Sequence, residues 1–503
     1  MTGALVIGSG PNGLAAAIRL AEAGCSVCVL EAADHPGGAV RSEALTLPGF
    51  VHDTFSSVYP AAVASPVFAR MPLARHGLEW VDPEACYGHP LPGGRAAVLY
   101  RSLDATAASL DALHPGDGEA WARFAKPYLD AYGPVRDTML AGFPPLTGPL
   151  KLLAALGPLG LLGFARLLPG TSTGLGRRLF GGSGARAWLH GSAMHGDTPP
   201  DGAGSAIAGF YLNLLGHAVG WPSPKGGAGR LTDALVAYLR ELGGDVRTGA
   251  AVQRITSASG RVTGVELAGG ERLPAAIVIA SVMPHALVAM AGDALRPGYV
   301  AAMRRYRYGG STIKVDWALD GPIPWEAEAL RGAGTVHVAG DEPELLSAVA
   351  QSHDRLPERP LLLLGQQSVA DPSRAPEGRH TAWAYTHGPQ EGIDWTVERD
   401  RHVERVEAQV ERFAPGFRDR ILARHVLDPR DLEARNANLV GGDVGGGSYA
   451  LRQVIFRPVP GILPYSTPID GLFFGSAAAF PGGAVHGVPG DAAARAALAK
   501  TRG

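Results

Sequence analysis

Three glycines carry the first chemistry in this chain: Gly8, Gly10 and Gly13, in the turn Gly8-Ser9-Gly10-Pro11-Asn12-Gly13. At that spacing, between a strand and a helix, they form a phosphate cradle. Gly8 permits the tight turn, Gly10 lets the backbone approach a pyrophosphate, and Gly13 lets helix and strand pack closely. The helix N-terminus adds unpaired N–H groups and a positive dipole end. Glu31, eighteen residues beyond Gly13, can accept hydrogen bonds from a ribose diol. The flanking residues supply the required context. Residues 4–7 are an apolar run that reads as a buried strand, and Leu14, Ala17, Ile18 and Ala21 share one helix face. Gly24 ends that helix, and 27–30 read as a second strand closing on Glu31. Such a unit binds an adenine dinucleotide. The acid at position 31 disfavours a ribose 2′-phosphate, so NADP is not expected.

Directly after it comes Ala32-Ala33-Asp34-His35-Pro36-Gly37-Gly38-Ala39-Val40-Arg41-Ser42. Gly37 and Gly38 permit close backbone approach, and Arg41 offers a charge-assisted hydrogen bond to a phosphate or to the ring it carries. With the fingerprint before it, this stretch resembles the flavoprotein superfamily of phytoene desaturases, protoporphyrinogen oxidases and flavin amine oxidases. In that family the acid is followed by a Gly-Gly-x-x-(Arg/Ser/Thr) turn along the FAD pyrophosphate, so the resemblance implies FAD. Two middle segments extend it. Pro222 to Leu231 is similar to the family's Pro-x-Gly-Gly-x-x-x-Leu return, and Val252 fits the place beside the adenine. A hairpin is expected around Ser259-Gly260, then an apolar strand over 276–280 leaving through Ser281-Val-Met-Pro284.

The C-terminus carries the second strong signal. A strand at 472–474 leads to the close turn Gly475-Ser476, and Pro481-Gly482-Gly483-Ala484-Val485-His486 leads to a helix over 491–499. This resembles most the phytoene-desaturase-like branch, whose ending runs Gly-(Ser/Ala)-x-x-x-Pro-Gly-Gly-Gly-(Val)-x-Gly. The resemblance puts Gly475, Ser476, Gly482, Gly483, Ala484 and Val485 along the isoalloxazine, with the helix dipole facing its N1–C2 carbonyl side. Phe480 stands where many relatives have His, Ala484 replaces a third Gly, and Gly445 to Gly447 replace a His-bearing element. His486 is the titratable side chain left in the loop and a candidate for proton handling. Motif-level resemblance covers about a third of the chain.

Lys314 is the other catalytic candidate. Residues 309–319 alternate small or polar with apolar residues and read as a strand. Lysine is scarce here, with five in the chain. Flavin amine oxidases carry a similar Ser-x-Ile-Lys strand whose lysine holds a water against flavin N5. The plain alternative is a lysine snorkelling at a sheet edge. His52 and Asp53 are further polar residues near the expected flavin turn, with local backbone groups as their ordinary partners.

The elements that must position these residues give an α/β fold. A Rossmann-type, glutathione-reductase-like FAD-binding domain, with a parallel sheet, helices and a β-hairpin crossover, is interleaved with an α+β substrate domain built on a mostly antiparallel sheet. The expected division is 1–63, 225–290 and 436–503 for the FAD domain, and 64–224 (helical) and 291–435 for the substrate domain. Net charge of −2 gives no reason to expect nucleic acid, and no metal site is expected. Three cysteines fit a reducing compartment rather than a disulfide framework. Cys25-x-x-Cys28 straddles a helix end and a strand, so a redox role is not expected. The first strand begins within three residues, leaving no room for a signal peptide. Arginine outnumbers lysine, with 69 glycines, as in GC-rich bacterial coding. The most apolar segment, within 145–170, is short and broken by Gly157, Pro158, Gly160 and Gly163. It reads as a lid, an access route for a lipophilic ligand, or a core helix. The expectation is a soluble, cytoplasmic protein with room for peripheral membrane contact.

These readings converge on an FAD-dependent oxidoreductase that takes a hydride from a mostly apolar small molecule, its flavin reoxidised by O2 or a quinone. The sequence holds one dinucleotide fingerprint, which favours oxidase or desaturase action over NADPH-driven monooxygenation. The alternatives are a flavin amine or amino-acid oxidase and, more distantly, a prenyl-binding carrier of the Rab escort/GDP-dissociation-inhibitor type.

Overall fold

The computed structural model describes residues 3–501. The chain opens with β1 (Gly3–Ile7), α1 (Pro11–Glu22) and β2 (Ser26–Leu30). These begin a five-stranded parallel sheet in the order Leu472–Phe474, Ile277–Ala280, β1, β2, Asp245–Arg247. The strands Leu472–Phe474, Ile277–Ala280 and β1 are almost wholly buried on both faces, which explains their short, continuous apolar runs. Strands from distant parts of the chain therefore end at one edge. Gly8 N–H donates to Leu30 O at 2.8 Å, Ser281 N–H to Ile7 O at 2.9 Å, and Gly475 N–H to Ala280 O at 3.0 Å. The carboxyl edge of such a sheet is where a dinucleotide lies.

Helix α1 is clamped on two sides by glycine contacts. A Cβ on Gly13 would stand 1.9 Å from the Gly8 carbonyl oxygen, and one on Gly490 would stand 1.8 Å from the Asn12 carbonyl oxygen. The second contact comes from the C-terminal helix Val488–Thr501, which starts three residues before the expected 491. The first and last helices of the chain are thus pressed together directly behind the phosphate cradle. The hairpin of Val252–Ala258 and Arg261–Leu267 turns at Ser259 and Gly260, both with positive φ (50° and 75°), the geometry of a two-residue turn that matches strand twist.

A second sheet has seven strands in the order Ile421–Leu427, Ser311–Leu319, His380–Gly388, Leu362–Gly365, Ala333–Val338, Ala85–Leu91, Arg95–Leu99. All its pairings are antiparallel except that of Ala333–Val338 with Ala85–Leu91. The last two strands lie inside 64–224, the stretch expected to be helical, and correct that reading. Gly88 and Pro90 disguised the first of them. On the side of Ala333–Val338 the pairing stops at Gly88, so Pro90 leaves no partner there without a donor. On Ser311–Leu319 the faces alternate. Ile313, Val315, Trp317 and Leu319 enter an apolar core with Val403, Val406 and Val410 of the helix Trp395–Glu411. Thr312, Lys314, Asp316 and Ala318 take the opposite face.

The apolar segment 145–170 is not a core helix. Helix Thr147–Ala165 breaks at Gly157 (φ 68°) and lies on the surface, with Leu150 66% and Leu159 84% exposed. By length and composition it is the one helix among the described residues apolar enough to cross a membrane.

Replacing Gly490 by alanine should cost about 3 kcal/mol of overpacking and push α1 off the sheet edge. Urea denaturation of the variant, with FAD content measured in parallel, checks this. Unchanged stability and cofactor content would contradict the clamp.

Candidate flavin site

The cradle assembles as its residue types require. Glu31 accepts from Ser9 N–H at 2.9 Å, from the Ser9 hydroxyl, and from Ala33 N–H at 3.0 Å. The Ser9 hydroxyl oxygen accepts from Gly37 N–H at 3.1 Å, so the fingerprint turn and the Gly37-Gly38 turn are one unit. Ala250 N–H donates to Glu31 O at 2.8 Å, which sets Val252, buried at the head of the hairpin, near the acid.

The residues present fit an FAD pyrophosphate. A Cβ on Gly38 would lie 3.0 Å from Gly10 Cα, so any side chain there would fill the approach. Pro11 occupies the first helical turn and α1 has no side-chain cap, leaving the helix N–H groups of Asn12 and Gly13 for an anion. Arg41 is buried, lies 5.1 Å over the Phe55 ring, and has no hydrogen-bond partner for Nε among the described residues. Burial lowers its pKa, as expected for a cation awaiting an anion. The Asn12 side-chain oxygen is also buried without a partner.

Gly475 and Ser476 follow the last parallel strand, and the Ser476 hydroxyl accepts from Ala478 N–H at 3.0 Å. A Cβ on Gly483 would lie 2.0 Å from the Gly445 carbonyl oxygen, so the glycine run 445–447 is fitted against this loop. Ala484 has φ 79°, a left-handed conformation in which its methyl costs about 1–2 kcal/mol. Val485 is half-buried beside it.

His486 is corrected. Its Nδ1 accepts from Val488 N–H at 3.2 Å, so Nε2 carries the proton and donates to Gly483 O at 3.1 Å. Burial pushes its pKa down to about 4. Both ring nitrogens are committed to closing the loop onto the helix Val488–Thr501, which leaves none for proton handling.

Lys314 is buried and its strand is paired on both sides, so it does not snorkel at an edge. It makes an ion pair with Asp316, two residues along the same face. Burial pushes the Asp316 carboxyl up to about 6, with Lys314 pulling the other way, and its second oxygen has no partner among the described residues. His52 Nδ1 stands 3.8 Å from Asp316, and burial, aided by the Lys314 charge, pushes the imidazole down to about 3. Asp53 faces Arg374 at 2.6 Å and also accepts from Ser42 Oγ at 2.7 Å and Ala228 N–H at 2.8 Å. Its partners are thus tertiary as well as local. Sequence reasoning missed Asp316 and Arg374; the spacing Lys-x-Asp on a strand was the available signal for the first. It also missed Arg457, buried between the rings of Tyr306 and Tyr449 (5.8 and 5.2 Å) and bonded through Nη2 to Gly446 O at 2.6 Å.

The model of the family described as flavin containing amine oxidoreductase matches residues 12–498. The chain belongs to that family. It is an FAD-dependent oxidoreductase, and the non-enzymatic carrier is set aside. It is 28% identical over 547 residues to pyridine nucleotide-disulfide oxidoreductase domain-containing protein 2 of Rattus norvegicus, covering 98% of this chain and 92% of the relative. It is 26% identical over 516 residues to the neurosporene-forming phytoene desaturase of Rhodobacter capsulatus, covering 97% of this chain and 92% of that one. Among solved structures, an oxidoreductase from Methanosarcina mazei superposes with a TM-score of 0.65 at 18% identity, over 99% of this chain and 100% of the other. That likeness is one of fold.

Asp316 provides a pH test. Its folded pKa of about 6 lies above the ordinary 3.8, so the folded protein holds the extra proton between those values. Stability from this group therefore falls as pH rises from about 4 to about 6. Between about 3 and 6.5 His52 acts in the opposite sense, because its folded form stays neutral. Asp316→Asn should remove only the falling component, so the stability of wild type relative to variant should decline across that window and level off above it. Urea unfolding at pH 4, 5, 6 and 7 reads this; a difference independent of pH would refute it.

Proposed function

We propose that this oxidoreductase removes hydrogen from a mostly apolar small molecule, leaving it with a new double bond, and passes the electrons to O2 or a quinone. The observation that carries the reading is the exposed apolar helix Thr147–Ala165 beside the flavin loop. Phe143, just ahead of that helix, meets Phe480 edge-on at 5.4 Å. The Tyr465 hydroxyl ties both, accepting from Phe143 N–H at 2.8 Å and donating to Phe480 O at 3.1 Å. A lipophilic molecule would meet Leu150, Leu159 and Leu162 first and then this pair of rings. The phenylalanine at 480, where many relatives have histidine, keeps the approach apolar. Relatives named phytoene desaturase support the same class of chemistry.

Bound FAD supplies the hydride acceptor. Arg41 and the start of α1 hold its pyrophosphate, and Glu31 its ribose. Lys314 keeps a positive charge buried on the inner face of the second sheet, where it stabilises negative charge that develops nearby. The Asp316 carboxyl beside it, pushed up to about 6 by burial, can take up or release a proton around that pH. The same apolar helix, together with exposed Ile462 and Leu463, makes peripheral contact with a membrane surface from which the substrate is drawn. A second reading, oxidation of an amine, is favoured by Lys314, whose place resembles that of the strand lysine in flavin amine oxidases.

The purified protein should show the visible spectrum of oxidised FAD, and anaerobic mixing with lipophilic polyenes should bleach it. Bleaching by amines and not by polyenes would hand the site to the second reading. Protein that carries no flavin and takes none up would overturn both. In a flotation assay with phosphatidylcholine/phosphatidylglycerol vesicles the wild type should rise with the lipid. The double variant Leu150→Glu, Leu159→Glu should stay in the soluble fraction, and equal flotation would remove the membrane contact from the proposal.

A further inference from the structure

We propose that the substrate carries a neutral oxygen, a carbonyl or a hydroxyl, on its apolar frame, and that His195 Nδ1–H and the Tyr385 hydroxyl bind that oxygen. The inference rests on the function proposed above and names the substrate class of the same site.

The inner face of the seven-stranded sheet carries a row of polar aromatic side chains. Cross-strand register sets Lys314 against Tyr385 and Thr312 against His387. The Tyr385 ring lies 5.9 Å from Trp383, nearly parallel, and 5.4 Å from His387, edge-on. His387 reaches Met194 O at 3.3 Å, and the next residue, His195, bonds His337 through the two Nε2 atoms at 2.9 Å. A stripe of polar aromatic side chains therefore runs from the buried lysine across the sheet to the helical wall. A hydrocarbon pocket needs no such stripe, because a polar group removed from water without a partner opposes binding.

Tautomers decide what the stripe offers. Gly191 packs against the Nδ1 edge of His337, where a Cβ would lie 2.8 Å away, and this nitrogen is buried without a partner among the described residues. A buried bare lone pair is tolerated better than a buried orphan N–H. His337 therefore carries its proton on Nε2 and donates to His195 Nε2, which moves the His195 proton to Nδ1. Both rings stay neutral, since burial pushes His195 down to about 3 and holds His337 well below the usual imidazole range.

His195 Nδ1 and the Tyr385 hydroxyl make no hydrogen bond to any described residue, yet neither is among the sealed, partnerless atoms. Both residues lie deep inside the protein while keeping part of their surface open. His387 links the two, its ring 5.4 Å from Tyr385 and its Nε2 bonded to the carbonyl of Met194, the residue before His195. The segment that carries His195 meets the flavin loop, because Asp197 accepts from Tyr449 N–H at 2.7 Å and a Cβ on Gly483 would meet the Tyr449 hydroxyl at 2.9 Å. Two neutral donors on one stripe, with no arginine among its members, select a neutral oxygen acceptor rather than a carboxylate or an ammonium group.

The test uses the FAD-loaded protein under anaerobic conditions with three probes of equal length: 2-undecanone, 2-undecanol and undecane. Binding is read from the perturbation of the flavin visible spectrum. The ketone or the alcohol should bind at least tenfold more tightly than the alkane, and which one leads identifies the oxygen as carbonyl or hydroxyl. Tyr385→Phe and His195→Phe should each bring the ratio toward one, chiefly by weakening binding of the ketone or the alcohol. His195→Gln, which keeps a donor, should retain part of the preference. FAD occupancy and circular dichroism verify that each variant is folded. Equal affinity for ketone, alcohol and alkane in the flavin-loaded wild type would overturn this inference alone, as would a preference that survives in Tyr385→Phe and His195→Phe. Protein that takes up no FAD would overturn the proposed function and this inference with it.

Discussion

The Asp53 carboxylate, fully buried, accepts from the Arg374 guanidinium, from the hydroxyls of Ser42 and Ser57, and from Ala228 N–H, so four separate segments converge on one anion. Ser42 belongs to the turn that follows the phosphate cradle. Ala228 opens the helix that returns the chain to the parallel sheet, and Arg374 lies beside the seven-stranded sheet. Removing either member of the central pair would strand a buried charge, which typically costs about 3–5 kcal/mol. The relative position of the two sheets, and with it the distance from the cradle to the Lys314 face, depends on this contact. His52, the residue before it, reaches Asp316, so the same short strand that holds the halves together also borders the buried lysine.

Around that joint the electrostatics fall into three zones. At the cradle a cation and helix N–H groups lack anionic partners and call for a pyrophosphate. On the Lys314 face the cation already has its carboxylate, so the pair is close to neutral and its protonation can change near neutral pH. Beyond it, His195, His337 and His387 are held neutral by burial, giving directional polarity without charge. On the proposed route past Phe143 and Phe480, a substrate would meet apolar surface first and neutral donors last, an order that would suit a greasy molecule with one polar feature.

His486 and Ala484 show how a loop can look catalytic and be structural. A histidine among glycines near a flavin invites a proton-transfer role, but its two nitrogens serve Val488 N–H and Gly483 O, and the ring acts as a brace at a helix start. Ala484 sits in a backbone region that favours glycine. Its neighbours overdetermine the loop strongly enough to hold the strain.

By itself the sequence determined the strand–helix–strand cradle, the acid at its end, the hairpin at Ser259-Gly260 and the glycine loop before the last helix. Each of these is local, set by glycine spacing and short apolar periodicities within roughly thirty residues. Only the tertiary structure decided the rest. The strand Ala85–Leu91 was hidden because Gly88 and Pro90 break the local pattern; pairing with residues 248 positions away makes it legible, and Arg95–Leu99 then pairs with it. Asp316 becomes a partner of Lys314 only where both are removed from water. Arg374 finds Asp53 across more than 300 residues of chain, and His195, in a turn after a helix, acquires its tautomer from a histidine on a sheet strand. Short-range periodicity carries no information about such long-range pairings, and burial and charge neutralisation are properties of the packed whole.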